Sequence, residues 1–206
     1  MKVVPTKTLR RKQTSRTLAV PPTDGQTHPM RQLLLLRHAK SSWDDKELPD
    51  HERPLNPRGR RAAVAIRETM ATLGLAPDLV LVSSAVRTRQ TLEALEPWND
   101  TPLVETVPRL YDATPTALLD TLHDVKETVR SVLMIAHNPG LHELAMQLVG
   151  AHAMTFANAD LRKLAEGYPS GALCEFAVPG PWALLGDGGG HLVRFICPRD
   201  LPAEEK

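Results

Sequence analysis

The chain predicts an α/β fold, a three-layer αβα sandwich around a mostly parallel sheet. Three observations carry that expectation. Short, wholly apolar runs recur along the sequence, amphipathic helical patterns separate them, and several runs break abruptly into polar residues. A strand buried on both faces reads as continuous apolar sequence, which is how parallel sheets covered by helices are written. With 206 residues and 42% hydrophobic composition, the chain suits one domain with a full core.

The elements follow in order. Residues 1–29 lack apolar periodicity and mix Thr, Pro, Arg and Lys, so they read as a disordered basic extension ahead of a domain spanning 30–206. The segment is also acid-poor in the manner of an organelle transit peptide, and Met30 would make a natural start. An untargeted tail in a cytoplasmic protein is the expectation, with import the minor alternative. "QLLLLR" is the first strand. Pro57 to Leu73 reads as a helix, with Asn56 as N-cap, Pro57 in the first turn, an apolar stripe of Ala62, Ile66, Met70 and Leu73, and Gly74 as terminator. "DLVLVSS" (78–84) is a second buried strand, and Arg87 to Leu95 a second helix. "TPLVETV" (101–107) is a third strand, and 115–130 a helix with a break. "SVLMIAHN" (131–138) is a fourth strand, followed by a helix from Leu141 to Val149. "ALCEFAV" (172–178) and "HLVRFICP" (191–198) are late strands.

Charge limits the partners. Residues 1–30 hold six of the 25 basic residues and one of the 24 acidic ones, so the remainder carries 19 basic against 23 acidic, a net of −4. A mildly acidic body does not read as a nucleic-acid binder. No apolar run approaches the roughly 18–20 residues that span a bilayer. Cys174 and Cys197 sit in apolar strand-like segments and read as buried thiols of a reducing compartment.

Crossover connections stack the C-terminal ends of parallel strands along one edge, where ligands bind such sheets. "LLLLRH", "LVLVSSAVRT" and "VLMIAHN" would deliver Arg37, His38, Ser83, Ser84, Arg87 and His137 to that edge. Two histidines and two arginines in one crevice repel one another unless an anion lies among them, so the constellation reads as a phosphate pocket. A neutral imidazole can attack phosphorus and hold the phosphoryl group, splitting one displacement into two. Arginine forks give paired, charge-assisted hydrogen bonds to phosphate oxygens, and the N-terminus of the helix carrying Arg87 favours an anion.

In "LLLLRHAKSSWDD", "RPLNPRGRRAA", "SSAVRTRQT" and "IAHNPG", taken in that order, the chain resembles the histidine phosphatase (phosphoglycerate-mutase-like) superfamily over about residues 30–150. The wording is most similar to the small SixA-type phosphohistidine phosphatases. The resemblance implies the phosphoglycerate-mutase-like fold without a large cap insertion, no cofactor and no metal. It implies that His38 is the phosphorylated nucleophile, that Arg37 and Arg87 bind the phosphoryl oxygens, and that His137 donates to the same group. The implied partner is a phosphorylated substrate, such as a phosphohistidine-bearing phosphotransfer protein; a broad phosphomonoesterase is the runner-up. The sequence does not speak to oligomeric state.

Other positions carry weaker expectations. Asp44 stands where many relatives carry a phosphate-binding asparagine, and an ionised aspartate there would pair with an arginine or lysine. Ser41 could donate to a phosphate oxygen or cap the loop. Arg53 reaches either the pocket rim or a surface ion pair. Asn138 binds substrate or shapes the turn before Pro139-Gly140. Many relatives use a glutamate to protonate an alkoxide leaving group; the comparable stretch here is "RLYDAT", with Asp112 as the nearest carboxylate. A missing acid would tilt the substrate toward phosphohistidine, whose imidazole leaves without strong acid help. Two rival readings stand beside the enzyme: a non-catalytic phosphate- or phosphohistidine-binding module, and a metal hydrolase built on His137, His142, Glu143 and Asp44. Pro139-Gly140 speaks against the latter by preventing helical presentation of the two histidines.

Overall fold

The computed structural model describes residues 30–153 and 158–201; the expectation for residues 1–29 lies outside them. A six-stranded sheet runs through the molecule. Its strands are β1 (Arg31–Arg37), β2 (Leu79–Val82), β3 (Leu103–Thr106), β4 (Ser131–Ala136), β5 (Leu173–Val178) and β6 (His191–Ile196), in the spatial order β3-β2-β4-β1-β5-β6. β1 to β4 run parallel, β5 is antiparallel to β1, and β6 is antiparallel to β5.

The strand period of two divides the core between the sheet faces. Leu34 and Leu36 join Leu133 and Ile135 beneath α1 (Pro57–Thr72) and α2 (Val86–Ala94), with Ile66, Met70 and Leu92 supplying the helical side. Leu33 and Leu35 face the opposite way, with Val132 and Met134, toward α3 (Pro115–His123), α4 (Gly140–Ala153) and α5 (Ala159–Glu166). All four leucines of β1 are at most 1% exposed. Fully burying each contributes roughly 1.5–3 kcal/mol. The expected three layers are present.

Several expectations need adjustment. In α1, Asn56 caps as predicted, accepting from Gly59 N at 2.7 Å. Ile66 and Met70 point inward, but Ala63 takes the buried place expected of Ala62. Leu73 is 38% exposed because the helix ends at Thr72 and Gly74, at φ +66°, turns the chain away. β3 is an edge strand with every residue exposed, so its apolar letters do not mark burial. The helix expected over 115–130 stops at His123, where Asp124 closes the last turn. α5 was not foreseen; Asn158 caps it by accepting from Leu161 N at 2.8 Å. Cys174 and Cys197 are buried free thiols.

Two glycines let backbone approach backbone near the site. A Cβ at Gly59 would run into the Lys40 carbonyl, so glycine lets the loop after β1 lie on the first turn of α1. A Cβ at Gly140 would collide with the Ala113 carbonyl, so glycine lets the start of α4 dock against the loop before α3.

Candidate active site

The strands β1, β2 and β4 end side by side, and the residues following them converge as the spacing predicts. The ring centroids of His38 and His137 lie 5.1 Å apart. Arg87, from the first turn of α2, reaches both rings, with Nε 3.3 Å from His38 Nε2 and Nη2 3.2 Å from His137 Nδ1. Arg37, His38, Arg87 and His137 all line one cavity of about 550 Å³.

His38 is fixed in one tautomer. Its Nδ1 lies 2.8 Å from the Ala39 carbonyl, an acceptor only, so Nδ1 carries the proton and donates. Nε2 then keeps its lone pair, to which Arg87 Nε donates. The following loop is clamped: Ala39 N donates to Thr91 Oγ1 at 3.0 Å, and Thr91 donates to the Arg87 carbonyl at 2.6 Å. Burial pushes the His38 pKa down to about 4, and the Arg87 and Arg37 charges push the same way. His137 is lowered to about 3 by burial first, then by His38 and Arg87. Its Nδ1 accepts from Arg87, so Nε2–H donates to Ser83 Oγ at 2.8 Å.

Arg37 is anchored and still has capacity. Its Nη1 donates to the Tyr168 carbonyl at 2.7 Å, while its buried Nε has no partner among the described residues. Desolvation and the nearby Arg87 charge lower its pKa. Two guanidinium groups and two neutral imidazoles outnumber the one carboxylate that both lines the cavity beside them and pairs with Arg87, that of Asp50, so the site favours an anion.

The weaker candidates separate. Ser41, Asn138 and Asp112 line the cavity. Asn138 Nδ2 donates to the Tyr168 carbonyl at 3.0 Å, and its buried Oδ1 has no partner among the described residues. Asp112 is exposed at the rim, at φ +49°, a left-handed conformation that Asp tolerates better than most residues. Asp44 is a correction. It is exposed, accepts from Ser42 Oγ at 2.7 Å, and neither lines the cavity nor pairs with a cation among the described residues. The short Ser42–Asp44 loop satisfies its carboxylate locally and turns it outward. Arg53 is buried and does not line the cavity; its guanidinium carbon lies 4.1 Å from the Trp43 ring centroid and its Nε 3.8 Å from Asp50, two residues that do. His142 donates away from His137, to the Leu164 carbonyl at 2.8 Å, so the histidine pair of the metal reading diverges.

Sequence reasoning missed the residues that brace the site. Asp50 accepts from Arg87 twice, through its carbonyl at 2.5 Å and its carboxylate at 2.9 Å, and Tyr111 donates to the same carboxylate at 2.9 Å. Partial burial alone would raise the Asp50 pKa, but the Tyr111 and Arg87 hydrogen bonds hold it below the ordinary value. Tyr111 packs edge-on against His51 and His137. Tyr168, whose carbonyl receives both Arg37 and Asn138, is itself buried and donates to the Leu35 carbonyl at 2.6 Å. Gly171 N donates to the carbonyls of Arg37 and His38. A signal existed for that segment: Pro169-Ser170-Gly171 is a turn cluster just ahead of a strand.

Known proteins resemble the chain in sequence and in fold. A family model described as the histidine phosphatase superfamily (branch 1) matches residues 33–114. An uncharacterised protein of Mycobacterium tuberculosis is 36% identical over 165 residues, covering 80% of this chain and all of its own. The chain belongs to the histidine phosphatase superfamily. An uncharacterised chloroplastic protein of Arabidopsis thaliana is 32% identical over 179 residues, covering 82% of this chain and 78% of its own. Among solved structures, a candidate phosphohistidine phosphatase SixA from Nakamurella multipartitia superposes with a TM-score of 0.72 at 28% identity, covering 82% of this chain and 96% of that one. The tungstate complex of the protein histidine phosphatase SixA superposes at 0.66 with 22% identity, covering 82% and 98%, a likeness of fold. In this histidine phosphatase chain Arg37 ends β1 and His38 follows it directly. No helix among its described residues is long and apolar enough to cross a membrane.

Proposed function

We propose that the protein hydrolyses a phosphoryl bond through a covalent phosphohistidine on His38 Nε2, and that its substrate is a protein-borne phosphohistidine. The observation that carries this is the His38 tautomer: Nδ1–H is spent on the Ala39 carbonyl, so the lone pair of Nε2 faces the Arg87 and His137 side chains. Nε2 attacks phosphorus, and the bond to the leaving group breaks in line with it. Arg37 and Arg87 take up the equatorial oxygens, where charge is stabilised best by donors already in place. His137 joins them as a donor once the phosphoryl dianion raises its pKa, so that Nδ1 takes up a proton from solvent.

Transfer from a substrate imidazole protonated on its other nitrogen leaves a neutral imidazole and gives the same arrangement on His38. The step exchanges one N–P bond for another and needs no proton from the protein. Water then attacks phospho-His38, the N–P bond breaks back to the Nε2 lone pair, and both water protons leave on dihydrogen phosphate. Asp112, exposed at the rim, is the candidate acid only for an alkoxide leaving group. Between His38 and His137 the chain forms α1 to α3, the strands and short turns. A site without an inserted cap suits a substrate carried on a protein surface. The place of action that fits this reading is the cytoplasm.

The test is mutational. His38→Ala is expected to abolish turnover, and Arg37→Ala or Arg87→Ala to lower kcat by about 10²–10³-fold. A near-normal rate in any of the three contradicts the assignment. p-Nitrophenyl phosphate, whose leaving group needs little acid, is expected to outpace an alkyl phosphate; equal rates would make Asp112 a functional acid and favour a broad phosphomonoesterase.

A further inference from the structure

Beside the catalytic cavity lies a second one of about 450 Å³, and the two share Arg37, Lys40 and Ser170. Arg58, from the first turn of α1, and Arg199, from the turn Pro198–Asp200 after β6, complete a wall of four cations. No carboxylate lines this cavity. Among the described residues neither Lys40 nor Arg58 is paired with an acid, and Arg199 has only a loose contact, 3.7 Å from an Asp200 already bound by Lys163 at 2.8 Å. Such clustering is unexpected in a body whose net charge beyond residue 30 is −4. Arg37 stands between the two cavities, with its buried Nε unpartnered.

We propose that this second cavity is an anion subsite. It binds a second oxyanion of the substrate, a phosphate or a carboxylate, while the scissile phosphoryl group lies at His38. The proposal rests on the phosphatase reading for its position relative to the reacting bond. Its chemistry is independent of that reading: guanidinium forks from Arg58 and Arg199 match paired oxygens, and the Lys40 ammonium adds a point charge. The first turn of α1, packed against the Lys40 backbone through Gly59, puts a positive helix end on the same side. Substrates carrying one isolated phosphoryl group would leave these cations unused, so the subsite selects for substrates with a second negative group nearby.

Two measurements test this. In the first, binding of inorganic phosphate to the full chain is followed by calorimetry at low salt. Two phosphates per chain are expected in the wild type and one in the double variant Arg58→Gln/Arg199→Gln; a single site in the wild type overturns the proposal. This readout needs no turnover, so two bound phosphates on a protein inactive toward every substrate would refute the phosphatase reading and keep the subsite. In the second, substrates are compared in pairs: phosphohistidine peptides with acidic or neutral flanks, and small phosphate esters with or without a second phosphate. The extra anion is expected to lower KM by about tenfold in one pair, the size of one charge-assisted contact. The peptide pair responding makes the source a protein carboxylate; the ester pair responding makes it a second phosphate. The double variant should erase that advantage and leave p-nitrophenyl phosphate turnover unchanged. No advantage in either pair, or an advantage that survives in the double variant, overturns the proposal.

Discussion

At the residue scale the site works by denying protons to its imidazoles. His38 and His137 are buried beside two permanent cations, and desolvation and repulsion both favour the neutral rings. With its pKa lowered to about 4, His38 keeps its Nε2 lone pair at neutral pH, which the proposed role as nucleophile requires. An NMR titration of the free protein is expected to place the His38 midpoint near 4; a midpoint near the ordinary 6.5 would contradict this account. The same shift has a stability consequence. The unfolded chain takes up these protons near pH 6.5, the folded one only near 4 and below. Stability is therefore full above about pH 6.5 and declines as pH falls toward 4. Thermal melts over that window should show the decline, with a shallower slope in His38→Ala. An equal slope would assign the effect to other groups. Arg37, His38 and His137 were legible because each stands at the end of an apolar strand, and Arg87 because it opens the helix just after one. Asp50, Tyr111 and Tyr168 were not. They meet their partners across 37, 61 and 131 residues of chain, and no local pattern marks them.

At the element scale, strand ends and close backbone approaches hold the site together. β1, β2 and β4 were readable as continuous apolar runs because both of their faces are covered. β3 has the same kind of letters but lies at the sheet edge, which composition cannot distinguish. α5 escaped notice because it is short and only Leu161 and Leu164 are buried. The join between α4 and the loop before α3 depends on Gly140, where any side chain meets the Ala113 carbonyl. Gly140→Ala is expected to cost about 1–3 kcal/mol of stability, as overpacking typically does. It should also lower turnover, because Asp112 and His137 stand on the two segments it would separate. An unchanged denaturant midpoint would show that the segments part freely. Tyr168→Phe removes a buried hydrogen bond to the Leu35 carbonyl and should cost about 1–3 kcal/mol, read from the same midpoint. No measurable loss would mean that this bond does not hold the loop that receives Arg37.

At the scale of the whole molecule, one sheet edge collects residues from three distant parts of the chain, and the active-site cavity is built wholly from residues between Arg37 and Ser170. The sheet itself begins at Arg31. Deleting residues 1–29 is therefore expected to leave kcat and KM unchanged, and a loss of activity would assign the basic segment a part in catalysis. The parallel half of the sheet and its order of motifs could be read from sequence. The antiparallel placement of β5 and β6 could not, because an apolar run does not state its direction. The central claim is that phosphorus passes through His38. Its most direct measurement is rapid quench after mixing with a 32P-labelled phosphohistidine donor. The account predicts label on the protein that is stable to alkali and lost in acid, at up to one per chain, and absent in His38→Ala. Turnover with no protein-bound label, or the same label in His38→Ala, would contradict it.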